Sequence, residues 1–345
     1  MASGSDSGGI PPTGGTLRLG GDVGFRHNGR MNRPFSLLLL VLLIVGCSGV
    51  AKPPGELPSP ESEPRLIRQS YVSPSEGDRD YFVYLPRGYD SDTGRDWPMM
   101  LFLHGNGERG NGRDDLDWVL VHGPLYEVWI QKRELPFIIM APQLPLYGLE
   151  NTVDYIANRQ PEDIPQRLEV GVPPRPEEFA TPWEMVSVPA PEELPIGAEG
   201  WADGWNRLEE DLLIILDQMQ SLYRTDPARV YLTGLSYGGF GTWFMASRHP
   251  ERFAAIAPVV GWGHPDLMPP LAERNMPVWA FAGGRDAAVW PQFFYPGLNA
   301  LEELQDRGGD VRFTIHVDAG HDAWRRVYAG EDLYDWLLQH SLPAE

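Results

Sequence analysis

Cysteine is almost missing from this 345-residue sequence. Cys47 stands alone, which excludes an intramolecular disulfide and any cysteine-based metal cluster. Positive charge is also scarce: 28 Lys and Arg face 48 Asp and Glu, for a formal net charge of −20. Binding a phosphate backbone needs clustered cations that displace counterions, and no basic stripe exists here, so a nucleic-acid surface is excluded. The apolar run Leu37 to Val45 falls well short of the roughly 20 residues that a bilayer-spanning helix requires. Internal repeats are lacking too. What is abundant is core material: with 42% apolar and 11% aromatic residues, the chain can bury one large core or two modest ones.

The short apolar run has a second meaning. Arg33 precedes it and Ile44-Val45-Gly46-Cys47 ends it, a charged start and an apolar core as in a signal peptide. The segment resembles a bacterial lipoprotein signal, with Ile44 where leucine is commoner. That resemblance implies cleavage before Cys47, lipidation of its thiol, and an exported protein held at a membrane, since several acyl chains together anchor stably. Ser48 after Cys47 favours, by the same resemblance, the outer membrane of a Gram-negative cell. The alternative is a cysteine that merely follows an apolar stretch. A signal of ordinary length begins at Met31, so residues 1–30, rich in Gly and Ser, are expected to be an over-extended, disordered start. The signal then covers 31–46 and a tether covers 47–64, with Pro, Glu and Ser dominating from Ala51 to Pro64. The folded domain is expected over 65–345.

Within that domain, runs of strand composition occur at Tyr81 to Leu85, Met99 to Leu103, Phe137 to Ala141, Val230 to Thr233, Ala254 to Val259, Val278 to Ala282 and Val311 to Val317. Several are apolar on both faces, as in a buried parallel sheet. Helix-like segments alternate with them: Arg207 to Tyr223, with Leu208, Leu212, Ile215 and Met219 on one stripe, then Gly239 to Arg248, Leu298 to Leu304 and Leu333 to Gln339. Alternation of this kind predicts an α/β fold with a mostly parallel central sheet flanked by helices. Residues 146–200 break the rhythm. Between Glu150 and Gly200 there are 9 prolines and 11 acidic residues against 3 arginines, with no clean period. So long an irregular stretch in a compact domain is usually functional or disordered, and it is expected to be an insertion over the C-terminal edge of the sheet.

Chemistry concentrates at Gly234-Leu-Ser236-Tyr-Gly238, a G-x-S-x-G pentapeptide between the β-rich run Val230 to Thr233 and a helix-like run. In that context small residues are needed because the turn is tight, and the serine hydroxyl is lifted above the sheet. A glycine-rich structural turn is the competing reading. Serine at its ordinary pKa is a poor nucleophile and needs a histidine base held by a carboxylate. Among 8 histidines, His321 sits on a glycine turn, Asp318-Ala-Gly-His321-Asp322, just after the last strand. His316 lies inside a strand pattern and His340 at the end of the terminal helix, where structural or surface roles suit them. Asp286, at the C-terminal end of the run from Val278, is the expected acid. Asp266 competes, while Asp310, Asp318 and Asp322 suit turns or caps. The oxyanion of a tetrahedral intermediate needs backbone donors, and the amides of Tyr237 and Asn106, the latter in Leu103-His-Gly-Asn106-Gly-Glu-Arg-Gly110, are the candidates. That loop also spells G-x-G-x-x-G, but Asn111-Gly-Arg-Asp-Asp follows where a dinucleotide site would open a helix.

Taken together, Leu103-His-Gly-Asn-Gly-Glu-Arg-Gly, Ala141-Pro-Gln, Gly234-Leu-Ser-Tyr-Gly-Gly, Phe281-Ala-Gly-Gly-Arg-Asp and Ala319-Gly-His-Asp-Ala-Trp resemble the α/β-hydrolase group of bacterial phospholipase/carboxylesterase-like enzymes, some of them classed as peptidases. The resemblance runs from about Ser70 to the C-terminus. It implies the α/β-hydrolase fold, Ser236, Asp286 and His321 as a triad, no metal or organic cofactor, and relatives that include feruloyl and other polysaccharide-linked esterases. The 146–200 insertion departs from the compact pattern. Trp201, Trp205, Trp262 and Trp324 lie near predicted loops bordering the site, and Trp205, Trp262 and Trp324 are candidates for a substrate platform, with core packing the equal alternative. The expected activity is hydrolysis of a small-molecule or polysaccharide-linked carboxylic ester through an acyl-serine. Alternatives are a peptidase with the same triad or a surface-anchored binding protein with a vestigial site.

Overall fold

The computed structural model describes residues 62–173, 194–201, 203–306 and 308–343. The expected signal, the lipidation site Cys47, the tether up to residue 61 and the middle of the insertion lie outside the described residues.

The first strands are β1 (Arg65–Ser73), β2 (Gly77–Leu85), β3 (Trp97–Leu103) and β4 (Ile138–Ala141). The insertion contributes the single turn α1 (Asp154–Ala157) before α2 (Glu209–Leu222). Strand and helix then alternate: β5 (Thr225–Leu235), α3 (Tyr237–Arg248), β6 (Ala255–Val259), α4 (Met268–Glu273), β7 (Val278–Gly283), α5 (Tyr295–Leu304) and β8 (Val311–His316). The turn α6 (Trp324–Val327) and helix α7 (Asp332–Leu337) close the chain. The 8-stranded sheet has the order β1-β2-β4-β3-β5-β6-β7-β8. The pairs β1–β2 and β2–β4 are antiparallel, and β4 through β8 run parallel. This is the α/β-hydrolase fold.

Strand β3 shows why the central strands are apolar throughout. Met99, Leu101 and Leu103 face one core with Leu212, Ile215 and Met219 of α2. Met100 and Phe102 face a second core with Leu333 and Trp336 of α7. Each fully buried side chain of this size contributes about 1.5–3 kcal/mol relative to exposure.

The structure adds elements that the sequence pattern does not announce. β1 is an edge strand that mixes exposed and half-buried residues before Tyr71 and Ser73 turn inward, and its Arg65, Arg68 and Gln69 suit an edge that must not recruit another strand. α4 begins Met268-Pro269-Pro270; proline is tolerated in the first turn, where its missing N–H would have no partner. Residues Leu116–Leu120 and Tyr126–Ile130 form short helical turns whose apolar side chains pack into the second core.

Candidate active site

Ser236 stands between β5 and α3 with φ 52° and ψ −115°, a left-handed backbone that a non-glycine residue adopts only under constraint. Its neighbours impose that turn. A Cβ on Gly238 would lie 1.8 Å from the Leu103 carbonyl oxygen, and one on Gly234 would lie 2.3 Å from the Gly238 carbonyl oxygen. Only glycine lets α3 press this closely on β3 and β5. The Ser236 N–H donates to Val259 O at 2.9 Å, fixing the elbow to β6.

The same sheet edge brings the expected base and acid. His321 begins a short turn after β8, and Asp286 follows β7. Ser236 Oγ lies 2.9 Å from His321 Nε2, and His321 Nδ1 lies 2.7 Å from Asp286 Oδ2. Asp286 has its side chain fully buried, and its Oδ1 accepts the N–H groups of Ala288 and Val289, both at 2.8 Å. A carboxylate so held accepts a proton-bearing Nδ1–H, which leaves Nε2 free to accept from the serine hydroxyl. Asp266, the competing acid, is exposed beside His264, and Asp310 and Asp318 bind Arg312 and Arg326.

Strands β3 and β5 pair Leu103 with Gly234, so the loop after β3 arrives beside the elbow. Tyr237 is the first residue of α3 and Asn106 the first of the turn Asn106–Glu108; leading N–H groups of helical turns lack partners within the turn. Asn106 spends its side chain elsewhere: Nδ2 donates to Tyr155 Oη at 2.6 Å and Oδ1 accepts from Arg109 Nε at 2.5 Å. What it can offer a ligand is its backbone. His104 anchors this loop from beneath. Its Nδ1–H donates to Gly105 O at 2.6 Å and its Nε2 accepts from Leu144 N–H at 2.9 Å. Burial drives its pKa down to about 3, so it is neutral at physiological pH. Gln143, of the Ala141-Pro-Gln motif, ties the loop further by donating to Glu108 O and Asp115 O. The loop's glycines therefore serve a three-residue turn rather than the long helix of a dinucleotide site.

A cavity of about 490 Å³ opens over Ser236 and His321. Trp324 lines it, edge-on to His321 at 5.2 Å, and Trp201 lines it, stacked on Tyr237 at 5.3 Å. Trp205 does not reach the cavity: it is 1% exposed, and its Nε1–H donates to His104 O at 3.1 Å, so it buttresses the loop after β3 from behind. Trp262 is also buried, edge-on to Phe240, and borders an adjoining apolar groove of about 310 Å³ with Trp290 and Phe293. Tyr155, His122, Glu108 and Val289, which the sequence pattern does not single out, also line the cavity over Ser236. Only Glu108 sits in a motif that could have signalled it. Burial raises its carboxyl to about 7 and lowers His122 to about 4, with Glu108 Oε1 and His122 Nε2 3.8 Å apart.

Residues 206–268, spanning α2 to the start of α4, match the prolyl oligopeptidase family. The chain is 47% identical over 47 residues to poly(3-hydroxyalkanoate) depolymerase C of Paucimonas lemoignei, covering 14% of this chain and 11% of that protein. It is 37% identical over 73 residues to the bifunctional acetylxylan esterase/xylanase XynS20E of Neocallimastix patriciarum, covering 21% of this chain and 10% of that protein. The chain thus spans about a tenth of the length of each of these curated relatives. Among solved structures, a thermostable esterase superposes with a TM-score of 0.51 at 24% identity, covering 80% of this chain and 63% of that one. That likeness is one of fold.

Proposed function

We propose that this protein is a serine hydrolase that cleaves carboxylic esters through an acyl-Ser236 intermediate. The observation that carries the reading is the continuous Ser236–His321–Asp286 chain, at 2.9 and 2.7 Å, on loops from three strands. As Ser236 Oγ attacks the ester carbon, His321 Nε2 takes its proton, and Asp286 keeps Nδ1–H in place and stabilises the imidazolium. The carbonyl oxygen becomes an oxyanion facing the N–H groups of Tyr237 and Asn106. Collapse expels the alcohol, which takes the proton from His321. A water, deprotonated by the same Nε2, then attacks the acyl-serine, and the acid leaves with Ser236 reprotonated.

The two curated relatives are named for a polyester depolymerase and an acetylxylan esterase, which favours an ester over an amide as substrate. The match to the prolyl oligopeptidase family supports a second reading, peptide-bond cleavage by the same groups with an amine as leaving group. Paired ester and amide substrates of one acyl group separate the two. The N-terminal signal pattern supports export and a lipid anchor at Cys47.

The deciding experiment is intact-mass analysis after treatment with a fluorophosphonate, wild type beside Ser236→Ala, followed by a panel of acyl and aryl esters. One adduct on the wild type and none on the variant is the expected result. Ser236→Ala retaining its fold and most of its turnover would end the mechanism. Absence of labelling and turnover in the wild type would favour a binding protein with a vestigial site.

A further inference from the structure

Arg109 lies immediately behind the proposed oxyanion hole, and its side chain is entirely buried, with 0% exposure. Its donors all end on neutral oxygens: Nε on Asn106 Oδ1 at 2.5 Å, Nη1 on Pro145 O at 2.8 Å and Nη2 on Asp203 O at 2.6 Å. Among the described residues no carboxylate pairs with it; Asp203, whose backbone it binds, gives its own carboxylate to Arg207 at 2.9 Å. The guanidinium carbon is also 4.9 Å from the centroid of the Tyr237 ring. A guanidinium does not deprotonate in a protein, so the site holds a permanent positive charge that burial penalises and that the Asp203 carboxylate, itself engaged by Arg207, offsets only in part. Both residues whose amides would bind the oxyanion, Asn106 and Tyr237, are in contact with that one charge.

We infer that Arg109 is a positioning residue whose positive charge, without a direct ion pair, backs the oxyanion hole, the tetrahedral oxyanion supplying a closer counter-charge than the resting site holds. The inference rests on the acyl-Ser236 reading. The substrate carbonyl carries only a partial charge and gains little from a cation behind its donors. The oxyanion carries a full one, in a site where low dielectric strengthens the attraction. Such a contribution is realised in the transition state, so it falls on kcat rather than KM. A purely structural Arg109, by contrast, would matter only through its fork of hydrogen bonds to Asn106, Pro145 and Asp203. Lysine keeps the charge but cannot reproduce that planar fork.

The test compares full-length wild type with Arg109→Lys and Arg109→Met, measuring Tm, kcat and KM on a p-nitrophenyl ester, and the rate of fluorophosphonate labelling. Arg109→Met is expected to lower kcat and the labelling rate about a hundredfold, comparable to losing an oxyanion donor, with KM little changed. Arg109→Lys is expected to lose Tm yet keep kcat within about tenfold of wild type. Equal losses of kcat in the two variants, or an undiminished kcat in Arg109→Met, would overturn the inference. Should Arg109→Met not fold, Arg109→Lys decides alone: kcat kept with a lowered Tm supports the charge, and kcat and KM spoiled together with Tm overturns it. A wild type that is labelled while both variants react at its rate removes only this inference. A wild type neither labelled nor active removes the Ser236 reading and this inference with it.

Discussion

The proposed nucleophile sits on a backbone conformation that costs of order 1–3 kcal/mol and persists only because surrounding contacts demand it. Gly238 is where that demand is sharpest. Gly238→Ala would drive a methyl into the Leu103 backbone, whose oxygen cannot retreat without moving β3. Overpacking against a buried strand should cost at least about 3 kcal/mol, and scanning calorimetry should show Tm lowered by roughly 6 °C or more, with turnover lost as the elbow opens. Asp286 makes a different prediction, because its proposed role is to fix the tautomer of His321. Asn at 286 can keep the Ala288 and Val289 amides on its oxygen while presenting an N–H to His321, which then exposes the wrong ring nitrogen to Ser236. Asp286→Asn should therefore keep its Tm and lose about 10⁴ in kcat. A variant still within tenfold of wild type would show that some other group orients His321.

The loop after β3 depends on a histidine that must stay neutral. His104 accepts the Leu144 N–H on Nε2, so protonating that nitrogen breaks the bond and leaves a charge in the core. Its folded pKa, about 3, lies below the ordinary value of 6.5. Its contribution to stability is thus complete above pH 6.5 and is lost as the pH falls through 6.5 toward 3, at up to about 1.4 kcal/mol per pH unit. Denaturant melts between pH 7 and pH 4 should show this slope in the wild type and a shallower one in His104→Gln, which has nothing to protonate. Equal slopes would assign the acid lability to other groups. The loop was legible in the Leu103-to-Gly110 motif, as the elbow was in Gly234 and Gly238 and the turn that carries His321 in the glycine before it. In each case the chain must do something sterically unusual, and glycine marks it. Strands β3 and β7, and β5 from Val230 on, were legible because burial on both faces leaves almost no polar position. β1 was not, since an edge strand alternates between solvent and core and is free to carry arginine. Nor were the tryptophans: proximity of Trp205 and Trp262 to predicted loops says nothing about whether an indole points inward, and here both do. Tyr155 and His122 come to the cavity from distant turns, and tertiary placement of that kind leaves no local pattern.

At the scale of the whole molecule, the proposed catalytic groups gather along the C-terminal edge of the parallel part of the sheet, while Tyr155 of the acidic insertion and Trp201 just after it line the rim above them. If the lipid anchor at Cys47 is real, Cys47→Ser should move the protein from the membrane to the soluble fraction without changing esterase turnover per molecule, and intact mass of the mature protein should place its first residue at Cys47. A mature chain that begins elsewhere and remains soluble would reject the anchor. The rim has one further property. The chain leaves the core at Pro145 and returns at Asp203, and a single guanidinium grips both carbonyls. Ends pinned together at one point make what hangs between them a graft: closure entropy changes only logarithmically with the length of a loop. Rims of other lengths and chemistries could be spliced between the same two carbonyls, changing which molecules reach the serine, provided each new rim replaces the contacts that Tyr155 makes to Asn106 and Trp201 makes to Tyr237.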